Sequence, residues 1–221
     1  MDPEKLRNKY NSYYSQIVNK WGSESMLKAE RVVKIILKKV QFNSIQKKIG
    51  KTLLDVGCGT GYYTEAFRKK GFPATGLDYS EIAIKKAKNN FPQCKFVHMN
   101  GFEPKLDTKF DLIFCRGFSG ANTHDLNYVS VWANKYIKLL NDNGVFIFSY
   151  STNYSGKEKE GETVNWLNEE IREFSLMINA EKFHYFVFHY YRFISFLKKY
   201  IFRILFRSTR KDFFYLFFQK K

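Results

Sequence analysis

Apolar positions recur at helical spacing in two stretches near the start of the chain, residues 4–20 and 24–40. In the second, Leu27, Val32, Val33, Ile35, Ile36 and Val40 form one stripe, and Ser23 stands where a cap is wanted. From residue 51 the pattern changes. Short, nearly continuous apolar runs at 52–56, 74–77, 95–99, 110–115 and 145–150 read as strands. Helical patterns lie between them, at 62–70, 81–90 and 123–140. The punctuation agrees. Gly71 and Pro73 stop the first of these helices, Ser80 caps the second and Phe91-Pro92 ends it, and Asn141-Asp142-Asn143-Gly144 turns the chain into the fifth strand. Strands that are apolar on both sides and separated by helices predict a parallel sheet covered on both faces, an α/β doubly wound domain.

Composition narrows the class. The 221 residues are 44% hydrophobic and 26% charged, which suits one domain with a modest appendage. Glycine and proline are too few for a fibrous or disordered chain. No run of 18 uncharged apolar residues suggests a membrane span, and residues 1–5 lack the apolar run of a secretory signal. Cys58, Cys94 and Cys115 are an odd set without metal-like pairing. A reducing, cytoplasmic setting is expected.

Charge changes the picture more. The net charge of +16 invites an anionic partner such as nucleic acid, a phosphorylated substrate or an acidic membrane, or else reflects lysine-rich composition throughout. Residues 182–221 concentrate it, with ten Lys or Arg against the single acid Asp212, and sixteen Phe or Tyr.

The first strand runs into Gly57-Cys58-Gly59-Thr60-Gly61, and a helix follows. A glycine-rich turn there places a ligand at the carboxyl edge of the sheet and lets the main chain approach it closely. The G-x-G-x-G spacing puts Tyr62 where a dinucleotide fingerprint needs glycine, and no Lys-Ser/Thr pair follows to make a nucleotide P-loop. Asp55, two residues before the first glycine, favours a ligand with positive charge. Asp78 ends the next strand, where a carboxylate accepts both ribose hydroxyls. A ribose, a cationic part and a carboxylate together describe S-adenosylmethionine.

The runs Leu53-Leu54-Asp55-Val56-Gly57-Cys58-Gly59-Thr60-Gly61, Gly76-Leu77-Asp78-Tyr79-Ser80, 110–116 and 143–148 resemble the class I S-adenosylmethionine-dependent methyltransferases. The likeness covers roughly residues 50–150. It implies a Rossmann-like, seven-stranded, mostly parallel sheet whose last strand is antiparallel and inserted between the fifth and sixth. It also implies that Asp55, Gly57, Cys58, Gly59 and Gly61 wrap the methionine and adenosyl parts of the donor, that Asp78 holds the ribose and that Tyr79 packs beside the adenine. Asn100, followed by Gly101 and Phe102, stands where the family usually has an acid for the adenine amino group. Cys115 and Arg116 end the fourth strand, near the transferred methyl and the acceptor.

The tail can complete such a sheet, with 168–180 as the last crossover helix and 183–191 and 213–218 as the sixth and seventh strands. Residues 192–211 between them read as a basic amphipathic helix. It either attaches to anionic lipid or packs on the sheet and roofs the acceptor pocket. The chain thus divides into an N-terminal helical extension or lid, 1–50, and a methyltransferase domain, 51–221, carrying that insertion. Residues 151–163 form a candidate mobile loop.

A hydroxyl acceptor needs its proton taken. His124 is the candidate base, its alternative role being to open the helix after it. Arg116 suits an acidic acceptor or a structural ion pair. Tyr10, Tyr13, Tyr14 and Trp21 either pack together or, as in similar enzymes, cover the cofactor. No His/Cys/Asp/Glu spacing calls for a metal. The expected acceptor is a small molecule, a glycan precursor or a lipid-linked intermediate in the cytoplasm, with peripheral membrane attachment if 192–211 binds lipid. An RNA acceptor and a non-catalytic binding module are the alternatives. The first lacks an RNA-binding module, and the second has no need of Asp55, the glycines and Asp78.

Overall fold

The computed structural model describes residues 3–16, 26–42, 52–152, 164–188 and 212–220. The chain runs α1 (Pro3–Gln16), α2 (Met26–Phe42), β1 (Leu53–Val56), α3 (Tyr62–Arg68), β2 (Ala74–Asp78), α4 (Glu81–Asn90), β3 (Lys95–His98), β4 (Phe110–Arg116), α5 (Leu126–Lys138), β5 (Leu140–Thr152), α6 (Asn168–Met177), β6 (Glu181–Phe188) and β7 (Asp212–Gln219). Ser23, Trp21, most of the 151–163 loop and the whole 192–211 segment lie outside the described residues.

The seven strands form one sheet in the order β3-β2-β1-β4-β5-β7-β6. All are parallel except β7, which pairs antiparallel with both β5 and β6, as the resemblance implied. The order reverses at β1, so the carboxyl ends of β1, β2 and β4 border one crevice, the place where open α/β sheets bind ligands.

Alternation along the strands sorts side chains into two cores. Leu54, Val56, Ile113, Cys115, Phe146 and Phe148 face α5 and α6, together with Trp132, Tyr136, Trp166 and Phe174. Leu53, Leu112, Phe114, Val145, Ile147 and Phe217 face the other way, toward α2 and α3. The apolar stripe of α2 is therefore core-forming: Ala29, Val32, Val33, Ile36 and Val40 are all buried against that second face.

Three boundaries differ from the sequence reading, each for a local reason. The helix expected at 123–140 begins only at Leu126. Thr123 Oγ1 accepts the Asp125 N–H at 3.0 Å and Asp125 Oδ1 accepts the Tyr128 N–H at 3.0 Å, so Asp125 is the cap. α3 stops at Arg68, and the next two residues wind tighter, Gly71 N–H reaching Arg68 O at 2.9 Å. β5 already pairs at Leu140 and absorbs the Asn141–Gly144 turn as a register shift, with Asn143 at φ 63°. Among the described residues no helix is long and apolar enough to cross a membrane.

Candidate functional site at the carboxyl edge of the sheet

The glycine turn leaves β1 bound to β2. The N–H groups of Gly57 and Cys58 both donate to Leu77 O at 2.9 Å, and Gly59 N–H donates to Asp78 Oδ2 at 2.9 Å. The second carboxylate oxygen of Asp78 accepts the Ser80 N–H at 2.8 Å. Asp78 thus ties the turn to the start of α4. Burial pushes its carboxyl up, opposed by these main-chain donors and by His98. Gly59 has φ 54°, and a Cβ there would lie 2.8 Å from the Tyr14 hydroxyl. At Gly61 a Cβ would lie 2.7 Å from the Phe96 ring, so this glycine serves packing below the turn.

Asp55 sits beneath, 3% exposed, its Oδ2 accepting the Thr64 hydroxyl at 2.6 Å. Burial raises its pKa to about 7, against the Thr64 bond; nearby Asp78 adds to the rise and Arg116 opposes it. Thr64 was not singled out in the sequence, and nothing in a lone threonine on a helix could have flagged it.

α1 closes the crevice from above. Asn11 Oδ1 accepts the Ser80 hydroxyl at 2.8 Å, and Lys86 Nζ donates to the Tyr14 carbonyl. Tyr10 reaches Ser119 and lies in the field of Asp78. Tyr13 packs edge-on to Tyr14, ring centroids 5.3 Å apart. The tyrosines of α1 therefore pack on one another and also border the glycine turn. Tyr13 packs on its neighbours, while Tyr10 and Tyr14 meet the glycine turn and the strand-ending acid.

Further along this edge, Tyr79 stacks on His98 with rings 6.2 Å apart and 24° between planes, and His98 Nε2 meets Tyr79 O at 3.0 Å. Asn100 Oδ1 accepts the Phe102 N–H at 3.0 Å, closing a turn on itself. Gly101 is buried, its carbonyl accepting the Tyr136 hydroxyl at 2.6 Å. Phe118 is the residue the sequence reading passed over. Its ring lies within 3.1 Å of Cβ positions at Gly57, Gly101 and Gly120, so one side chain sets the floor under three glycines.

Two cysteines point elsewhere. Cys58 Sγ lies 2.8 Å from a Cβ at Gly76 and packs with Ile84 and Phe96, so only its main chain borders the crevice. Cys115 is fully buried on the α5 side, its thiol pushed well up by burial. Arg116, next in the strand, faces the opposite side. Its Nε donates to the Tyr215 hydroxyl at 3.1 Å, and its guanidinium lies 4.0 Å from the Phe213 ring centroid and 5.0 Å from that of Tyr63. His124 does not open α5. Its Nδ1 meets Glu170 Oε1 at 2.5 Å, and the same carboxylate accepts the Leu167 N–H at the start of α6. Among the described residues no three His, Cys, Asp or Glu come together as a metal would require. A hollow of about 650 Å³ lined by Asn134, Lys138, Asn179 and Lys220 lies at the opposite, amino edge of the sheet. It shares no residue with this site.

Comparison with known proteins adds the following. A family model described as a methyltransferase domain matches residues 28–187. A Geobacillus protein named as a methyltransferase is 33% identical over 129 residues, covering 50% of this chain and 49% of that protein. A ubiquinone biosynthesis O-methyltransferase from Coxiella burnetii is 36% identical over 88 residues, covering 36% of this chain and 38% of its own length. The chain thus spans half or less of the curated relatives it matches. Among solved structures, a magnesium protoporphyrin IX methyltransferase from Synechocystis with bound S-adenosylhomocysteine superposes at a TM-score of 0.68. It is 15% identical over 100% of both chains, a likeness of fold.

Proposed function

The chain belongs to the class I S-adenosylmethionine-dependent methyltransferases, matching their domain model over residues 28–187, and from that premise we propose that it binds S-adenosylmethionine at the glycine turn and methylates a small-molecule acceptor. The observation that carries the reading is the contact of Gly59 N–H with Asp78 Oδ2 at 2.9 Å. It brings the turn and the strand-ending acid to one point, where main chain and carboxylate can meet a nucleoside together.

The residues present suit this donor. Gly59, with no side chain and φ 54°, keeps its main chain open to close approach, with the Tyr14 hydroxyl 2.8 Å from where a Cβ would stand. Asp78 supplies carboxylate oxygens for ribose hydroxyls, Tyr79 a ring face beside the adenine, and Asn100 a side-chain amide further along that edge. Asp55 is a buried acid for the cationic end. The bound donor supplies a methyl group on a sulfonium, which leaves as a neutral thioether when an acceptor lone pair attacks the carbon in line. The work of this chain is then to hold the partners at near-attack distance and keep water out. Tyr10 and Tyr14 of α1 cover the donor side of the crevice.

An oxygen acceptor is supported by the O-methyltransferase named among the relatives. For such an acceptor His124 is the group to receive the proton, its ring held at Nδ1 by Glu170. Calorimetric titration with S-adenosylhomocysteine tests the donor site. Asp78→Ala is expected to weaken binding at least tenfold, and an unchanged affinity in a folded variant would sink the ribose assignment. Tritiated methyl transfer into fractionated cell extract then identifies the acceptor, with label expected among small molecules; label confined to RNA would refute that part of the reading.

A further inference from the structure

Asn100 stands at the carboxyl edge just beyond β3. That strand runs parallel to β2 with His98 opposite Asp78, and Met99 N–H donates to Asp78 O at 3.0 Å. The sheet order β3-β2-β1 puts Asn100 one strand further from the glycine turn than Asp78. A nucleoside with its ribose at Asp78 and its cationic end over the turn extends its base toward this residue.

The turn that Asn100 opens is held at each of its residues. Asn100 Oδ1 accepts the Phe102 N–H at 3.0 Å, and Asn100 O accepts the Glu103 N–H at 3.2 Å. The Tyr136 hydroxyl donates to Gly101 O at 2.6 Å, and a Cβ on Gly101 would lie 2.9 Å from the Phe118 ring. Phe102 packs on Phe118 and Tyr128, with ring centroids 5.0 and 6.1 Å away, and Lys135 Nζ donates to Phe102 O at 3.1 Å. The Phe102 N–H fixes which way the side-chain amide faces. Turning it over would set Nδ2, a donor, against a main-chain donor. Nδ2 is therefore the end left to meet a ligand, and among the described residues it has no bond.

An asparagine with both ends open pairs twice with adenine, its carbonyl to the 6-amino group and its amide to N7. Asn100 spends its oxygen on the turn. A carboxylate in its place would close the turn with one oxygen and still hold out the other to a 6-amino group. Nδ2 holds out hydrogens instead, and the group at C6 that accepts hydrogens is the oxo group of a 6-oxopurine.

We propose that Asn100 presents its Nδ2 hydrogens to the group at C6 of the bound purine, so that this site takes a 6-oxopurine nucleoside at least as readily as adenosine. The base assignment rests on the reading of the crevice as the donor site.

The test is calorimetric titration of the full chain with S-adenosylhomocysteine and S-inosylhomocysteine, which differ in a 6-amino or 6-oxo group and in the N1 proton that accompanies the latter. Wild type is expected to favour S-adenosylhomocysteine by less than threefold, or to favour the inosyl compound; a larger preference for S-adenosylhomocysteine overturns the proposal. Asn100→Asp keeps an oxygen for the turn and replaces the N–H donors by a second one. It is expected to raise the preference for S-adenosylhomocysteine at least tenfold over wild type, and a smaller change counts against Asn100 as the group that reads the base. If wild type binds neither compound, the donor reading of the crevice falls and the base assignment falls with it. Should Asn100→Asp fail to fold, NMR of the wild-type Asn100 side-chain amide decides. Its proton resonances are expected to move further with S-inosylhomocysteine than with S-adenosylhomocysteine, and resonances that do not overturn the proposal.

Discussion

Two acids on neighbouring strands, Asp55 buried within β1 and Asp78 half-buried at the end of β2, set the residue-scale behaviour. The folded chain holds Asp55 near pKa 7 through burial, whereas an unfolded chain ionises it near 3.8. Between those values the folded state binds more protons there. Its contribution to stability is therefore present at low pH and lost as pH rises from about 4 to 7, a loss of at most about 4 kcal/mol. Asp78 acts in the same direction. Asp111, whose burial is outweighed by bonds from Thr52 and Asn141, acts in the opposite one. Comparing denaturant unfolding of wild type and Asp55→Asn at pH 5 and pH 8 isolates the effect, and the variant is expected to show the flatter dependence. The same acid gives a binding prediction. A cationic donor favours ionised Asp55, so wild-type affinity for S-adenosylmethionine is expected to rise as pH passes 7, and Asp55→Asn to abolish that rise, both read by calorimetry. Asp55 and Asp78 were legible because one interrupts and the other ends a short apolar run beside glycines. The side on which the Cys115 thiol packs was also legible in principle. Strand alternation puts Cys115 with Ile113 and Arg116 with Phe114, so the two neighbouring side chains lie on opposite faces of the sheet.

At the scale of elements, α4 and α1 act as one unit. Ser80 accepts the Ala83 N–H at 3.2 Å as the cap of α4 and donates its hydroxyl to Asn11 at 2.8 Å. Ser80→Ala is expected to cost about 1 kcal/mol for the cap. It should also release α1, seen as faster amide exchange over residues 3–16 than in wild type; equal exchange would separate the helix from the cap. Gly76 in the middle of β2 is a harder constraint. A Cβ there would lie 2.8 Å from Cys58 Sγ, Phe96 and Thr64 Oγ1 at once, all in a packed layer. Gly76→Ala is expected to destabilise by about 1–3 kcal/mol in chemical denaturation. The capping serine was readable from its place before a helical pattern. Its second bond, to a residue 69 positions away, was not, because no local periodicity encodes a partner at that distance.

For the whole molecule, many aromatic side chains among the described residues fill the space on the sheet. Trp166 is fully buried against Phe148, Phe174 and Phe214, and its indole N–H donates to Ala121 O at 3.1 Å. It joins β5, α6 and β7 to the loop that follows β4. Trp166→Ala is expected to cost about 3–5 kcal/mol in urea unfolding and Trp166→Phe less, since a ring still fills most of the volume. β7 matters more. It pairs on both sides and buries Phe214, Tyr215, Leu216, Phe217 and Phe218, so it holds the far half of the sheet together. By itself the sequence determined the alternation of strands and helices, the doubly wound class, the glycine turn and the acids Asp55 and Asp78 on the first two strands. These follow from local periodicity and from residue types whose conformational needs are their own. Only the tertiary structure decided what meets what: Tyr14 over Gly59, Phe118 under three glycines, Asn11 on Ser80, and Arg116 between Tyr63 and Phe213. Those contacts join residues far apart in the chain, and they exist because sheet order and helix packing fix distances that no stretch of sequence carries.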